Sequence, residues 1–257
     1  MPNNKILVVG EECSDVFVYG SSSRLCPDVP APVFCSTLYQ TSPGMAANTA
    51  RNLESLGLKV DLISQPQPIK KTRYVDSKLN YTFLRVDEGE KSVERFQDDL
   101  ITDKEIAEYR AVVISDYGKR FLSEANIQRF CRNNPTTFLD TKKVLGAFCE
   151  NAKFIKINEP ELKATQHIAP DIADMEPWID KLIVTLGERG CMYRKKFYPT
   201  EAVEIFDLCG AGDVFLAALT AKYLETNNIE EALKYANKLA TENVTHKGVS
   251  VINCEIT

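Results

Sequence analysis

Apolar residues fall along the chain in two alternating rhythms. Short continuous runs, Ile6 to Val9, Val60 to Ile63, Ala111 to Ser115, Phe138 to Asp140, Phe154 to Ile157 and Leu182 to Leu186, read as buried strands. Between them the spacing turns helical. Ala47, Ala50, Leu53 and Leu56 share a face closed by Gly57, and Ile127, Phe130 and Cys131 follow Ser123 as a helix cap. Thr102-Asp103-Lys104-Glu105 matches a capping box, and Asn228-Ile229-Glu230-Glu231 caps a long helix through Ala232, Tyr235, Ala236 and Leu239. Strands alternating with helices predict an α/β fold with a mostly parallel central sheet and right-handed crossovers.

Four further segments have strand composition but interrupt that alternation. Val16 to Tyr19 and Val33 to Leu38 flank a Ser/Pro-rich stretch, Ser21 to Pro32, that cannot be helical; Thr72 to Val75 and Tyr81 to Val86 follow Pro66 and Pro68. Drawn from about residues 12–40 and 69–90, they predict a small β lid beside the main sheet. No repeat, low-complexity tract or linker divides residues 1–257, so one domain carrying a lid is expected.

A length of 257 residues allows a full core, and a formal charge of -5 argues against a nucleic-acid partner. No apolar run is long enough to span a bilayer, and Met1 to Lys5 runs straight into a strand, so the expected compartment is the cytoplasm. The eight cysteines are scattered without metal-type pairs, and the two histidines, His167 and His246, lie far apart. A structural metal site and a histidine-based nucleophile relay are both disfavoured.

Candidate chemistry concentrates in Asp207-Leu208-Cys209-Gly210-Ala211-Gly212-Asp213, between a strand-like stretch (Val203, Ile205, Phe206) and the apolar run Val214 to Leu219. A glycine turn opening a helix offers unpaired N–H groups to an anion. A carboxylate there repels a phosphate unless it has a task, such as accepting a proton from an attacking hydroxyl; the plainer alternative is an Asp favouring the helix dipole. Three strand ends carry polar groups, Asp116-Tyr117-Gly118-Lys119, Asp140-Thr141-Lys142 and Asn158-Glu159-Pro160-Glu161, and a fourth carries the turn Thr185 to Gly190. Each alone could be turn chemistry; four in succession favour one shared site. Asp15, five residues beyond the first strand, suits either sugar hydroxyls or a turn.

Taken in order, Ile6-Leu7-Val8-Val9-Gly10 with Asp15, Tyr19 to Arg24, Ala31-Pro32-Val33, Pro43-Gly44-Met45-Ala46-Ala47-Asn48, Lys71-Thr72-Arg73, Leu84-Arg85-Val86-Asp87, Ser115 to Lys119 and Gly210-Ala211-Gly212-Asp213 resemble the ribokinase-type carbohydrate kinases, the phosphofructokinase B family. The likeness extends over nearly the whole chain. It is greatest to kinases that phosphorylate D-glycero-D-manno-heptose 7-phosphate at C1. It implies a ribokinase-like three-layer sandwich, ATP and Mg²⁺ as cofactors, and a sugar or sugar-phosphate acceptor, with a homodimer through the lid. The alternatives are a kinase for another sugar or a nucleoside, or a catalytically weak sugar-binding relative.

By the same resemblance, Asp213 is the base and the amides of Gly210, Ala211 and Gly212 hold the transferring phosphoryl group. Asp15, Gly44 and Asn48 position the sugar, and Arg73, Asp116 and Lys119 serve its remaining hydroxyls or phosphate. Asn158 and Glu161 match an Asn-x-x-Glu element that acts near magnesium, commonly through water. Thr185, Gly187, Gly190 and Asn237 fall at the nucleotide site, and Gly248 to Ser250, ahead of a last short strand, near a monovalent-cation loop. The chain departs from the family at Met45, where a second glycine is usual, and at Cys209, where threonine is usual. It also lacks a helix and strand after Ser64 and is short between Leu162 and Lys181.

Overall fold

The computed structural model describes residues 3–172, 176–245 and 252. In chain order come β1 (Asn3–Gly10), β2 (Glu12–Leu25), β3 (Pro32–Met45), α1 (Ala46–Ser55), β4 (Lys59–Ile63), β5 (Lys70–Asp76) and β6 (Thr82–Glu88). Then follow α2 (Asp103–Glu108), β7 (Tyr109–Asp116), α3 (Glu124–Asn133), β8 (Thr137–Thr141), β9 (Phe154–Asn158), α4 (Glu159–Gln166) and β10 (Leu182–Thr185). The hairpin β11 (Cys191–Tyr193) and β12 (Lys196–Tyr198) and the helices α5 (Ala211–Thr226) and α6 (Ile229–Val244) complete the described elements.

The main sheet has the order β12-β11-β10-β9-β8-β7-β1-β4, parallel from β4 to β10 and antiparallel in the last hairpin. Alternation along β1 shows why its run is apolar on both faces. Leu7 and Val9 pack with Ile127 and Phe130 of α3, while Ile6 and Val8 pack with Leu53 of α1 and Leu216 of α5. Helices therefore cover both faces, the expected three-layer arrangement. Val214 to Leu219 of α5 are all buried, so this helix is apolar all round. Tyr223 anchors it edge-on to Phe154, ring centroids 4.9 Å apart.

The smaller sheet has the order β3-β2-β5-β6: two antiparallel hairpin pairs joined by parallel β2 and β5. All four expected lid strands are present and pair with one another. β2 runs on through Ser21 to Leu25 with register shifts after Tyr19 and Ser22, and β3 continues to Met45, well beyond the segments read from composition. At the tip, Asn80 Nδ2 donates to the Phe206 carbonyl at 2.9 Å.

Three expected helix starts are realised: Thr102 and Ser123 close capping boxes, and the Asn228 side chain accepts from the amides of Glu230 and Glu231. The expected strand through Val203, Ile205 and Phe206 is not. These residues take no regular secondary structure, and their side chains are partly exposed. The β11–β12 hairpin occupies that edge of the sheet, and the Phe206 amide bonds instead to the Val244 carbonyl at the end of α6. Gly248 to Ser250 and the last short strand lie outside the described residues.

Candidate active site

The strand order reverses at β1, with β4 on one side and β7 on the other. A crevice opens at the carboxyl ends of the strands at such a point. Asp213 sits there, buried in the first turn of α5. Gly210, at φ 78°, starts the helix with no side-chain cap, and the Ala211 amide makes a long 3.4 Å bond to the Leu208 carbonyl. Asn48 Nδ2 donates to Asp213 Oδ2 at 2.9 Å, and the Tyr117 hydroxyl donates to Oδ1 at 2.5 Å. Burial pushes the Asp213 carboxyl up to about 6, against these two bonds and the Lys156 charge, which favour ionisation. Burial and the Asp213 charge push the Tyr117 phenol well above its ordinary range, so it stays a donor.

Tyr117 is held by a residue the sequence reading passed over. Glu11 is fully buried at the end of β1 and accepts from the amides of Tyr117 (2.8 Å), Lys119 (2.9 Å) and Phe121 (3.1 Å). Burial and nearby Asp116 raise its pKa, while the amides oppose that rise. The sequence signal was an acid directly after a buried apolar strand.

A cavity of about 710 Å³ lies against the opening of α5. Thr185, Gly187, Gly190, Asn237 and Asn158 line it together with Ala211 and Gly212. Val203, Ile205, Leu208, Ala240 and Val244 give it an apolar wall, and Tyr117, Asp140, Lys142 and Lys156 line its polar end. Its size suits a small-molecule ligand. The irregular course of 203–208 is thus what builds the wall.

On the lid side, Asp15 Oδ1 accepts from Arg73 Nη1 at 2.5 Å, and the guanidinium lies 5.2 Å from the Phe17 ring centroid. Arg73 lines a second cavity of about 360 Å³ with Phe17, Asn80 and Cys209. Gly44 is required by close approach: a Cβ there would lie 2.0 Å from Asp15 Oδ2. Met45 follows at φ 60° and ψ -133°, a region costly for any residue but glycine, with its side chain buried and its Sδ 3.2 Å from Lys71 Nζ. Its side chain therefore turns inward. Cys209, beside Asp207, and Cys13, beside Asp15, are pushed up to about 12 by burial, so neither is a thiolate nucleophile.

Asp116 and Lys119 line neither of these two cavities, and the same holds for Asp15, Gly44, Asn48, Glu161, Gly210 and the buried Asp213. Asp116 is buried and accepts from the Thr141 hydroxyl (2.5 Å), Lys143 Nζ (2.7 Å) and the Gly118 amide, while Lys119 Nζ pairs with Glu90 at 2.7 Å. Asn158 and Glu161 form the capping box of α4, and Glu161 also pairs with Lys142. No group of three or more His, Cys, Asp or Glu capable of holding a metal occurs among the described residues. Asn158 faces the cavity, as does Asp140, whose Oδ1 is buried without a partner.

A parallel sheet between two helical layers, a β lid and an uncapped glycine turn beside a ligand-sized cavity define a ribokinase-like α/β phosphotransferase. Solved structures agree on the fold: a Thermotoga maritima ribokinase superposes with TM-score 0.72 at 18% identity, covering 96% of this chain and 95% of that one. An Escherichia coli phosphofructokinase-2 variant gives 0.71 at 13% identity, covering 97% and 96%. The chain belongs to the pfkB family of carbohydrate kinases, whose sequence model matches residues 64–255. Curated relatives named bifunctional protein HldE are 29% identical in Helicobacter acinonychis and 27% identical in Vibrio parahaemolyticus, over 98% and 96% of this chain. The chain spans 65% and 61% of their lengths. The first alignment runs over 301 positions, more than the 257 residues of this chain, as expected where relatives carry segments that it lacks. β4 accordingly forms the sheet edge, and β5 begins seven residues after it. No helix among the described residues is long and apolar enough to cross a membrane.

Proposed function

We propose that this chain transfers a phosphoryl group from ATP to a sugar or sugar-phosphate hydroxyl, and that the acceptor is D-glycero-D-manno-heptose 7-phosphate, converted to the 1,7-bisphosphate. The observation that carries the transfer is the Asp213 carboxyl, raised to about 6 and held by Asn48 and Tyr117 at the uncapped start of α5. Ionised at neutral pH, Asp213 takes the proton of the attacking hydroxyl; raised above an ordinary carboxylate, it is a stronger base than an exposed Asp. The amides of Gly210, Ala211 and Gly212 hold the transferring group with backbone dipoles fixed before the reaction. Asn48 and Tyr117 fix the carboxylate's direction, and Glu11 holds Tyr117. Asp15 and Arg73, already paired, meet sugar hydroxyls from the lid, which excludes water. Thr185, Gly187, Gly190 and Asn237 receive the nucleotide. Asn158 and Glu161 would hold Mg²⁺ through water, and the bound ion would supply charge neutralisation at the phosphates.

The heptose assignment is supported by the sequence resemblance and by the HldE relatives spanning nearly all of this chain. A different sugar or a nucleoside is the second reading, favoured by Met45, which fills space that glycine would leave open. A panel of sugars and sugar phosphates monitored for ADP release, with the modified carbon identified by NMR, separates the two. Turnover of heptose 7-phosphate at C1 supports the first; turnover of other acceptors only removes it. A homodimer through the lid is supported by exposed Leu38, Tyr39, Phe83 and Leu84 on its strands, with Tyr81 just before β6. A monomeric mass in solution would overturn it.

A further inference from the structure

The end of the main sheet away from Asp213 holds a third cavity, of about 510 Å³. It lies where β9 and β10 begin and α5 ends, and Lys153, Phe154, Asp180, Lys181, Arg194 and Tyr223 line it. Three of these side chains are cationic, and Asp180 is the only acid among the described lining residues. That acid is already engaged, with Oδ1 2.6 Å from Arg194 Nε. Lys181 Nζ donates to the Glu150 carbonyl, a neutral acceptor. Lys153 forms no ion pair among the described residues; its Nζ lies 6.0 Å from the Phe154 ring centroid and 5.8 Å from that of Tyr223. The cavity therefore carries an excess of positive charge on a chain whose formal net charge is -5.

Tyr223 is only 9% exposed, its ring fixed edge-on by Phe138 and Phe154 with centroids 5.8 and 4.9 Å away. Its hydroxyl has no hydrogen-bond partner among the described residues and remains a donor for a group in the cavity. Arg194 is held there by strained backbone. It and Lys195 are the two central residues of the β11–β12 turn, at φ 49° and 61°. Asn-Gly meets positive φ at both positions with little strain, whereas long side chains with a Cβ do not. Strain of this kind collects at ligand sites.

We propose that this cavity binds a small phosphate monoester carried on an apolar or planar group, at a site separate from that of phosphoryl transfer. The dianion meets Lys153, Lys181 and Arg194 through charge-assisted hydrogen bonds, and its organic part rests against Phe154 and Tyr223. A volume of about 510 Å³ suits such a molecule. The inference stands apart from the kinase reading, because none of these residues lines the cavity beside Gly212.

The test uses phenyl phosphate as the probe, titrated into ¹⁵N-labelled protein and followed by backbone amide NMR. Saturable shifts are expected at Lys153, Lys181, Arg194 and Asn227, with a Kd below about 1 mM. Inorganic phosphate, which lacks the ring, should bind about tenfold more weakly. Lys153→Met, at an exposed position that the fold tolerates, should weaken phenyl phosphate about tenfold. The double variant Arg194→Asn, Lys195→Gly relaxes the turn, so it should raise the melting temperature while weakening the probe by a similar factor. No shift at these amides, shifts confined to Gly187, Gly190 and Gly212, or undiminished binding by the two variants would overturn the site.

Discussion

Replacing Asp213 with asparagine keeps the shape of a buried side chain and removes its charge. In the wild type, burial raises this carboxyl from 3.8 to about 6, so the folded protein holds the proton more tightly than the unfolded chain does. The resulting stabilisation is fully present below the unfolded value and is lost as pH rises through about 6. Two pKa units at 1.36 kcal/mol each amount to about 3 kcal/mol. Asparagine does not titrate, and its hydrogen bonds can survive. Its carbonyl accepts from Asn48, while its NH₂ donates to the Tyr117 oxygen, whose own proton rotates away. Asp213→Asn should therefore be more stable than wild type at pH 7.5 by up to about 3 kcal/mol, or roughly 6–12 °C in melting temperature for a chain of this size. The difference should shrink as pH falls from 7 to 4. Parallel urea and thermal unfolding across that range measure it. A destabilised variant at pH 7.5, or a stability difference that does not change with pH, would refute the account of a buried carboxylate held against desolvation.

Tyr117→Phe removes a hydrogen bond that favours the ionised Asp213, so the acidic limb of kcat/KM should move above about 6; an unmoved limb would count against the contact. Glu11→Gln turns an NH₂ toward backbone amides that now donate to a carboxylate, and should cost about 2 kcal/mol in urea unfolding while lowering kcat. Met45→Gly relieves a strained backbone and clears buried volume beside Lys71, so the KM for bulkier acceptors should fall. An unchanged KM across an acceptor panel would show that Met45 does not shape the sugar site.

Features legible in the sequence were those set by short-range chemistry. The parallel strands declared themselves as apolar runs because both faces are covered, and three helix starts because Thr102, Ser123 and Asn228 satisfy their own first turns. Asn158 and Thr185 share a cavity because they stand at the ends of neighbouring strands, whereas Asn237 reaches it from the middle of α6. What the sequence hid depends on partners far away in the chain. Val203 to Phe206 has strand composition but no free sheet edge to join. The buried face of α1 carries Thr49 and Asn52 beside Asn48, polar groups that an apolar pattern passes over, and the contact from Asn48 to Asp213, 165 residues on, is not legible from spacing. Asp116 and Lys119, read as sugar ligands from the resemblance, have partners that the sequence did not show: Thr141 and Lys143 for the first and Glu90 for the second.

Direct phosphoryl transfer, followed by ³¹P NMR with ATP, Mg²⁺ and heptose 7-phosphate, compares the wild type with Asp213→Asn most tellingly. The account predicts a new sugar-bound phosphorus signal for the wild type, and none for the variant under conditions where calorimetry shows both binding ATP alike. Equal transfer by the two proteins would contradict it.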